Sequence, residues 1–445
     1  MHDRVMSSQA RANAVAVVRR LRAAGFEALL AGGCVRDELL GRIPKDYDVA
    51  TNAPAERVQT LFTGSLPVGA QFGVVLVPSG EDRIEVATFR RDGVYVDSRH
   101  PVTVTFGSAE EDAARRDFTI NGMFLDPIDE RLIDYVGGRD DLARGIVRAI
   151  GDPAARLEED KLRMLRAVRI AARLGFVIEP ETWSVMRREA AHIDRIAWER
   201  IGEEIRLILC EGAAKRGFEL LHASGLLAAV MPELLAMEGV AQTPLHHPEG
   251  DVWTHTLLVI DQLKAPTETL ALGALLHDVA KPACAGRKMA PEGERITFYG
   301  HPERGAEMAI VICQRLKRSR AVWERVAYLV RNHLRLVSAP LMRKSTLTRF
   351  LREDGIEELL ELARIDATAS NGDLQYYDFC RTRLADLSEQ QMNPPALVTG
   401  RDLIAIGFTP GPRFSEILHA VEEQQLEGTL ADRDAALAWV RSHYP

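Results

Sequence analysis

The feature that most constrains the fold of this chain is a change in apolar spacing about a third of the way along it. Over roughly residues 1–150, short β-rich runs such as YDVATN, VVLVP and RIEVATFRR alternate with stretches of helical spacing. From about Pro153 onward the helical spacing persists, broken at NPP (393–395) and GFTPGP (407–412). This order of elements predicts an α+β head followed by an all-α body.

The length and charge of the chain set further bounds. The chain has 445 residues, 46% of them hydrophobic, and is too long to fold around a single hydrophobic core. We predict four domains, at residues 1–150, 151–240, 241–370 and 371–445. The formal net charge of −8 argues against a protein that coats nucleic acid nonspecifically. It leaves room for a local basic face that binds nucleic acid as a substrate.

The cysteines indicate a reducing compartment. They show no CxxC pair, as expected of reduced thiols rather than of a disulfide framework or zinc ribbon; they are Cys34, Cys210, Cys284, Cys313 and Cys380. The N-terminus lacks a secretory pattern, and no apolar run approaches membrane-spanning length. We therefore expect a cytoplasmic protein that does not bind membranes.

Asp46 and Asp48 form the first candidate site. One residue separates them in a predicted strand, so their carboxylates should project from the same face. Two carboxylates this close repel unless a cation lies between them, and Mg²⁺ prefers such hard oxygen ligands. Glu85, on the strand RIEVATFRR, is a candidate third carboxylate or a surface residue. Taken alone, two aspartates at this spacing are usually a solvated pair at a strand end.

A glycine turn upstream supports the interpretation of Asp46 and Asp48 as metal ligands. Gly32 and Gly33 open a predicted helix that carries Arg36. Glycines let backbone amides approach phosphate closely, and Arg36 can pair with phosphate through two hydrogen bonds. A phosphate cradle beside metal-binding carboxylates is what nucleotidyl transfer requires.

These residues lie in a segment, LLAGGCVRDELLGRIPKDYDVATNAPAE, that resembles the opening motif of class II tRNA nucleotidyltransferases and bacterial poly(A) polymerases, within the DNA polymerase beta superfamily. Further blocks follow in the family's order, and the resemblance covers roughly residues 28–180. The blocks are RRDFTINGM (Arg115–Met123, ribose contact), LIDYVGGRDDLARGIVRAIGDP (Leu132–Pro153, hinge) and EEDKLRMLRAVRIAARLGF (Glu158–Phe176, base selection).

The resemblance implies a polymerase beta-like head and assigns roles to several side chains. Arg116, Asp117 and Asn121 would bind the nucleotide, the last two as a ribose-contacting pair on one helix face; the alternative is a helix cap with a structural Asn. The i, i+1, i+4 spacing of Glu159, Asp160 and Arg163 predicts that all three lie near one side of a helix turn. The resemblance makes them the base-selecting set, with Asp160 and Arg163 reading the Watson–Crick edges of C and A; without it they would be a surface ion-pair cluster. Arg166 belongs to a stripe of arginines that could guide RNA or the triphosphate, or be a solvated face; the stripe is Arg163, Arg166, Arg169 and Arg173.

Three kinds of family member remain open: CCA-adding enzymes, enzymes that add only C or only A, and poly(A) polymerases. PVGAQFGVVLVP (Pro67–Pro78) resembles the tRNA-directed branch. DGVYVDSRHP (Asp92–Pro101), with Asp97 and Arg99, resembles the flexible loop of enzymes able to add A. Full CCA addition is favoured, with A-only addition or poly(A) synthesis as the alternative. Gly122 departs from the family's more frequent Ala.

A histidine-rich region forms a second candidate site. Mixed nitrogen and oxygen ligands on apolar helices suit Mn, Fe, Ni or Mg better than a structural zinc. The pattern resembles the HD phosphohydrolase superfamily, which implies an all-α HD domain and the ligands His255, His277, Asp278 and Asp366. His301 and His333 could serve a second metal, whereas His246 and His247 are predicted loop residues. The alternative is a degenerate domain kept as a helical scaffold.

Together these patterns predict a two-metal nucleotidyltransferase that adds C and A from CTP and ATP to the 3′ end of tRNA. Mg²⁺ is expected in the head, and a divalent metal of unknown identity in the HD region. The HD region would carry a second activity, the hydrolysis of cyclic or terminal phosphates at RNA ends. No protein partner is implied.

Overall fold

The structure, a computed structural model, describes residues 2–68, 73–80, 82–92, 104–243, 247–290, 293–387 and 394–445. The chain forms two compact units, Met1–Pro232 and Glu233–Pro445. The α+β head and helical body predicted from the sequence are both present, while the four predicted domain boundaries stay a prediction. Among the described helices, none is long and apolar enough to cross a membrane.

The head is built on a seven-stranded mixed sheet with the order β3-β4-β5-β2-β1-β8-β9. Two short pairs, β6–β7 and β10–β11, lie outside it. The strands of this unit are β1 (Ala28–Ala31), β2 (Asp48–Thr51), β3 (Leu66–Pro67), β4 (Val74–Ser79), β5 (Asp82–Thr88), β6 (Arg90–Asp92), β7 (Val104–Phe106), β8 (Phe124–Asp126), β9 (Arg131–Ile133), β10 (Ile146–Val147) and β11 (Val177–Ile178).

The helices of the first unit cover the sheet and then form the neck. They are α1 (His2–Ala23), α2 (Gly33–Leu39), α3 (Ala55–Leu61), α4 (Ala109–Ala114), α5 (Gly138–Arg144), α6 (Pro153–Glu159), α7 (Leu162–Leu174), α8 (Pro180–Glu189), α9 (Trp198–Cys210), α10 (Ala214–Ser224) and α11 (Leu226–Val230), with 3₁₀ turns at Thr119–Asn121 and Ala190–Arg195. Local sequence sets several ends: Ser108 and Glu111 form a capping box for α4, and Asp152 caps α6 ahead of Pro153.

The register of the central strands positions the carboxylates. Asp48 pairs with Ala31 on β1 and, in parallel, with Glu85 on β5. Further along the same face, an apolar cluster that includes Phe89 and Phe124 packs over the sheet. Asp48 and Glu85 therefore lie side by side where the apolar covering of that face ends.

In its described residues, the second unit is helical apart from one hairpin. Its helices are α13 (Val252–Asp261), α14 (Glu268–Leu276), α15 (Lys281–Cys284), α16 (His301–Arg315), α17 (Arg320–Asn332), α18 (Lys344–Leu351), α19 (Ile356–Ala369), α20 (Gln375–Asp386), α21 (Gly400–Ala405), α22 (Pro412–Glu427) and α23 (Arg433–His443), with a 3₁₀ turn at Arg335–Leu341; α12 (Pro232–Leu235) lies at the division between the units. The last three helices have an apolar core of their own around Leu403, Ile417 and Val421.

A β-hairpin interrupts the region predicted to be all helical. Its strands, β12 (Gly286–Ala290) and β13 (Gly293–Thr297), are antiparallel. The sequence analysis missed it because the run GRKMAPEGERIT carries few of the β-branched and aromatic residues that signal a strand.

Candidate active site and metal centre

One cavity in the first unit, of about 710 Å³, gathers most of the predicted head residues. It is lined by Gly33, Arg36, Asp46, Asp48, Glu85, Arg116, Asp117, Asn121, Asp160, Arg163 and Arg166. Glu159 is not among the lining residues. The loop residues Asp97 and Arg99 lie outside the described residues.

The carboxylate edge of this cavity differs from the predicted strand pair in one respect. Asp46 is exposed and precedes β2, which begins at Asp48, so the two are not neighbours on one strand. Burial, Glu85 and Asp46 together raise the pKa of Asp48 to about 7. The pKa of Glu85 is also raised, by desolvation and by Asp46. Excess negative charge at this edge fits a bound cation, which would relieve the repulsion.

The three carboxylates do not form a closed cage. Asp46, Asp48 and Glu85 do not bring one oxygen each to within 4.8 Å of one another. Such an open edge suits Mg²⁺, which takes one or two carboxylates and completes its coordination with water and substrate phosphates.

The glycine turn beside this edge is required by its geometry. Gly32 has φ of 77°, and a Cβ there would lie 3.0 Å from Nη1 of Arg116. At Gly33 a Cβ would meet only Nη2 of Arg36, at an ordinary 3.6 Å. Arg36 itself is buried and donates to Asp37 and, at 2.7 Å, to Oδ1 of Asn121. Its guanidinium is thus fixed in place at the cavity wall.

Asp117 and Asn121 contact each other, although they do not share an α-helix. Asn121 ends a 3₁₀ turn and donates to Oδ1 of Asp117 at 3.1 Å. Arg166 donates twice to Oδ2 of Asp117, at 2.9 and 2.7 Å. Burial alone would raise the pKa of Asp117, but the charge and hydrogen bonds of Arg166, together with the hydrogen bond from Asn121 and the charge of Arg163, outweigh it and hold the pKa low.

A break between two helices separates the predicted base-reading residues. α6 ends at Glu159, Asp160 is extended with φ of −150°, and α7 begins at Leu162. The interpretation that all three side chains lie on one helix turn was wrong for this reason. Glu159 accepts from Nη1 of Arg163 at 2.6 Å and from Arg156 at 2.8 Å. It orients Arg163, while Asp160 and Arg163 face the cavity.

The predicted arginine stripe lies along α7, and all four members line the cavity. Each is already bound to a protein oxygen. Arg169 donates to Glu204 at 2.7 Å, and Arg173 to Asp37 at 3.2 Å. The stripe is therefore largely neutralised within the protein.

Two residues that bind side chains of this cavity were not predicted from the sequence. Arg200, on α9, donates to both carboxylate oxygens of Asp160. Asp112 is 1% exposed and accepts from Arg115 and Arg116 together. The i,i+3 and i,i+4 spacing from Asp112 to the two arginines was a signal that could have revealed the second case.

The histidine-rich region forms a second site, contained in the second unit. Two groups of possible ligands each bring their atoms to within 4.8 Å of one another: His255, His277 and Asp366, and Asp278, His301 and His333. All six predicted ligands are thus brought together. His277 and Asp278 directly follow α14, whose residues from Leu270 to Leu276 are all buried, so the apolar helix carries them into the interior.

The hydrogen bonds of the four histidines fix their orientation. Nδ1 of His255 lies 2.7 Å from Glu249, and those of His277, His301 and His333 lie 2.7–2.8 Å from backbone carbonyls. Since each acceptor takes the proton on Nδ1, each ring in its neutral form presents the lone pair of Nε2 to the interior of the cluster. Nε2 atoms meet at 3.2 Å between His255 and His277 and at 3.3 Å between His301 and His333.

Asp278 lies between the two groups. Its Oδ2 is 3.2 Å from Nε2 of His277, and its Oδ1 is 3.4 Å from Nε2 of His301. Lys281 lies 2.7 Å from Oδ2, yet both oxygens are buried without a hydrogen bond of acceptable geometry. Inward-facing imidazole nitrogens beside a buried carboxylate are a donor set that fits divalent metal, which these six residues would hold.

His247 lies in a loop, as predicted, but nothing in the sequence indicated that it contacts the ligand cluster. Its Nδ1 lies 2.9 Å from Glu249, and its ring is 4.9 Å from that of His255. His246 lies outside the described residues. Glu249, which binds both His247 and His255, had no signal in the sequence pattern.

Comparisons with known proteins agree with the head geometry. Three family models match: the poly A polymerase head domain over residues 28–148, the RNA and SrmB-binding site of polymerase A over 175–237, and tRNA nucleotidyltransferase domain 2 over 305–440.

Two relatives match nearly the whole chain. A multifunctional CCA protein of Nitrosococcus oceani is 34% identical over 90% of this chain and 97% of its own length. An A-adding tRNA nucleotidyltransferase of Deinococcus radiodurans is 34% identical over 93% and 95%. Among solved structures, the CCA-adding enzyme of Bacillus stearothermophilus in complex with CTP aligns with a TM-score of 0.66 and 26% identity, covering 97% of this chain and 96% of that one.

Proposed function

The chain belongs to the family of class II tRNA nucleotidyltransferases and bacterial poly(A) polymerases, and from that premise we propose that it adds C and A to the 3′ end of tRNA without a nucleic-acid template. One observation carries the proposal: a single cavity joins the carboxylate edge of Asp48 and Glu85 to the pair Asp160 and Arg163. A triphosphate held at the first end would place its base at the second.

Asp160 and Arg163 supply the pattern needed to select C and A. Both bases present an amino donor beside a ring-nitrogen acceptor, whereas G and U present a carbonyl beside an N–H. A carboxylate accepts from the amino group, and a guanidinium donates to the ring nitrogen. Glu159 and the carbonyl of Arg115, 3.2 Å from Nη2 of Arg163, hold that guanidinium in one orientation.

The remaining residues of the cavity bind and orient the nucleotide. Asp117 and Asn121 offer hydrogen-bonding groups to the ribose, while Arg116 and the amides of the glycine turn face the phosphates. In the reaction the 3′-oxygen of the RNA bonds to the α-phosphorus, the α–β phosphoanhydride bond breaks, and pyrophosphate leaves. The hydroxyl proton passes to solvent.

Family members use a divalent metal, and we propose Mg²⁺ at Asp46 and Asp48, with Glu85 as a candidate third ligand. Bound there, the metal would lower the pKa of the attacking 3′-hydroxyl and stabilise the triphosphate and its leaving group. Asp48, with its pKa raised to about 7, would bind the ion best in its ionised form.

The test of the nucleotide specificity uses three tRNA substrates, ending before CCA, after one C, and after CC, each with Mg²⁺ and labelled CTP or ATP. We expect C on the first two and A on the third. A added only to the CC end would reassign the protein to the A-adding group. Long A tails on unstructured RNA would indicate a poly(A) polymerase, and no incorporation would refute the proposal.

We further propose that the histidine site is a metal-dependent phosphohydrolase that acts on phosphates at RNA ends. The two ligand groups, with the buried carboxylate of Asp278 in contact with both, favour this second activity over a scaffold role. Bound metals would activate water and neutralise the phosphate. Water oxygen bonds to phosphorus, the bond from phosphorus to the ribose oxygen breaks, and the proton goes to that oxygen.

The two activities should be separable by mutation. Asp48→Ala should abolish nucleotide addition and leave hydrolysis intact, and His277→Ala should do the reverse. Loss of both activities from a folded single variant would contradict the two-site proposal. A cytoplasmic location is also proposed, supported by five cysteines that are all free.

A further inference from the structure

The hairpin β12–β13 stands at a second cavity, of about 660 Å³, that contains Asp278, His301, His333 and Asp366. Lys288 and Arg295 of the hairpin line the same cavity. They are direct partners in the antiparallel register, so their side chains leave the same face of the hairpin. Two cations are thereby held next to each other beside the metal-ligand cluster.

Among the described residues, no acidic side chain balances the charges of Lys288 and Arg295. Like charges directly opposite on neighbouring strands are destabilising. Both side chains are exposed, and neither has an ion-pair or hydrogen-bond partner among the residues the structure describes. By contrast, Lys281 deeper in the cavity is buried and bound to Gln242 and Asp278. An anion between Lys288 and Arg295 would remove the repulsion, because phosphate oxygens accept from both cations at once.

The wall of the cavity adds an apolar surface. Tyr299 and Met289 line it and are each 75% exposed. An exposed aromatic ring beside cations is the combination that binds single-stranded nucleotide chains, through base stacking and phosphate contacts. A mononucleotide held by its phosphate at the metal ligands would leave the cation pair without a partner.

We propose that Lys288 and Arg295 bind the phosphodiester next to the scissile phosphate, so that the histidine site acts on the ends of oligonucleotide chains in preference to mononucleotides. The inference rests on the proposed phosphohydrolase activity and names the substrate class of that site. Recognition is of the charged backbone and is independent of base sequence.

The test compares adenosine 2′,3′-cyclic phosphate with the dinucleotide ApA carrying the same terminal group, since the two differ by one nucleoside and one phosphodiester. We expect kcat/KM to be about tenfold higher for the dinucleotide, equivalent to 1.4 kcal/mol. A dinucleotide with an uncharged methylphosphonate linkage should behave like the mononucleotide. In the variant Lys288→Ala/Arg295→Ala the advantage should disappear through KM, with hydrolysis of the mononucleotide unchanged.

The control variant is Arg287→Ala, which removes a cation from the same hairpin at a position that does not line the cavity. It should keep the dinucleotide advantage. The dependence of log kcat/KM on log salt should weaken in the double variant by up to about 0.7, the value for one phosphate contact on a single strand. Equal rates for the two substrates, or an equal loss in Arg287→Ala, would overturn the inference while leaving the phosphohydrolase standing. Hydrolysis of neither substrate would refute the phosphohydrolase itself, and the inference with it.

Discussion

Arg200 and Asp160 form a bidentate ion pair that joins α9 to the break between α6 and α7. Nη1 and Nη2 of Arg200 donate to Oδ1 and Oδ2 of Asp160 at 3.1 and 2.7 Å. The backbone N–H of Leu162 donates to Oδ1 at 3.1 Å. Asp160 lies in an extended break between α6 and α7, where no helix fixes its side chain. Arg200 is therefore the group that sets the direction of this carboxylate.

From this relationship we expect Arg200→Ala to reduce base selectivity. Freed from the pair, Asp160 can rotate, and the acceptor that distinguishes the amino group of C from the carbonyl of U is no longer fixed. The ratio of kcat/KM for CTP to that for UTP should fall roughly tenfold, the equivalent of 1.4 kcal/mol. Steady-state kinetics with each of the four nucleotides would measure it.

Two further variants separate positioning from a general loss of charge. Arg200→Lys should retain part of the selectivity, because one donor remains. Arg206→Ala removes a cation that lines the same cavity from the same helix but contacts Glu203 at 2.6 Å, and should leave the ratio unchanged. If Arg206→Ala lowered the ratio as much as Arg200→Ala, the role assigned to Arg200 would be wrong.

Asp112→Asn should weaken both the head and nucleotide binding. Asp112 is buried and pairs with both Arg115 and Arg116, so the substitution removes the carboxylate that these two cations share. Breaking such a buried pair costs about 3–5 kcal/mol, and chemical denaturation would measure the change. KM for CTP should also rise, because Arg116 faces the cavity. Asp126→Asn breaks another pair, with Arg22 at 2.7 Å, away from the cavity. Asp126→Asn should destabilise the fold and leave KM for CTP unaltered. If KM rose in both variants, loss of stability alone would explain the effect of Asp112→Asn.

The raised pKa of Asp48 predicts that the folding stability of the metal-free protein depends on pH. Because its pKa is about 7 in the fold and 3.8 in the unfolded chain, the folded state holds an extra proton between these values. Stability is therefore lost as pH rises through this window. In EDTA at pH 8, Asp48→Asn should be more stable than the parent by at most about 4 kcal/mol. This difference in the free energy of unfolding should become smaller towards pH 5.

Thermal denaturation of both proteins across this pH range would test the Asp48 prediction. Asp129→Asn, a change in an exposed turn, serves as the control and should show no such pH-dependent gap. A constant difference between Asp48→Asn and the parent from pH 5 to pH 8 would show that the pKa of Asp48 is not raised.

Glu249→Gln should weaken metal binding at the histidine site. Glu249 accepts from Nδ1 of His255 at 2.7 Å and so keeps Nε2 directed at the cluster. Loss of such a partner typically lowers metal affinity about 10–100-fold. Titration with Mn²⁺ in an Asp48→Ala background would isolate this site from the head. Glu361→Gln changes the same charge on α19, where Glu361 pairs with Arg364 at 2.7 Å, and should bind Mn²⁺ normally. Unchanged affinity in Glu249→Gln would exclude this orienting role.

Local pattern was sufficient to predict the parts of both sites that lie within one segment. The strand and glycine turn before Asp48, and the pair His277–Asp278 after an apolar helix, follow from spacing and composition alone. The shared helix turn of Glu159 and Asp160 did not hold, because the chain is extended at Asp160. Only the backbone conformation at that one residue decides which side chain faces the cavity.

The sequence by itself determined the order of head and helical body, the family, and the identity of the candidate ligands, because these depend on residue types at short spacing. Tertiary structure decided which of them meet. Arg200 reaches Asp160 across 40 residues, Glu249 orients His255, and Asp278 contacts two ligand groups that come from five helical segments. The pairing of Lys288 with Arg295 likewise depends on hairpin register. Such contacts arise from packing between distant segments, and hydrophobic periodicity fixes which face of a segment is buried without fixing its partner.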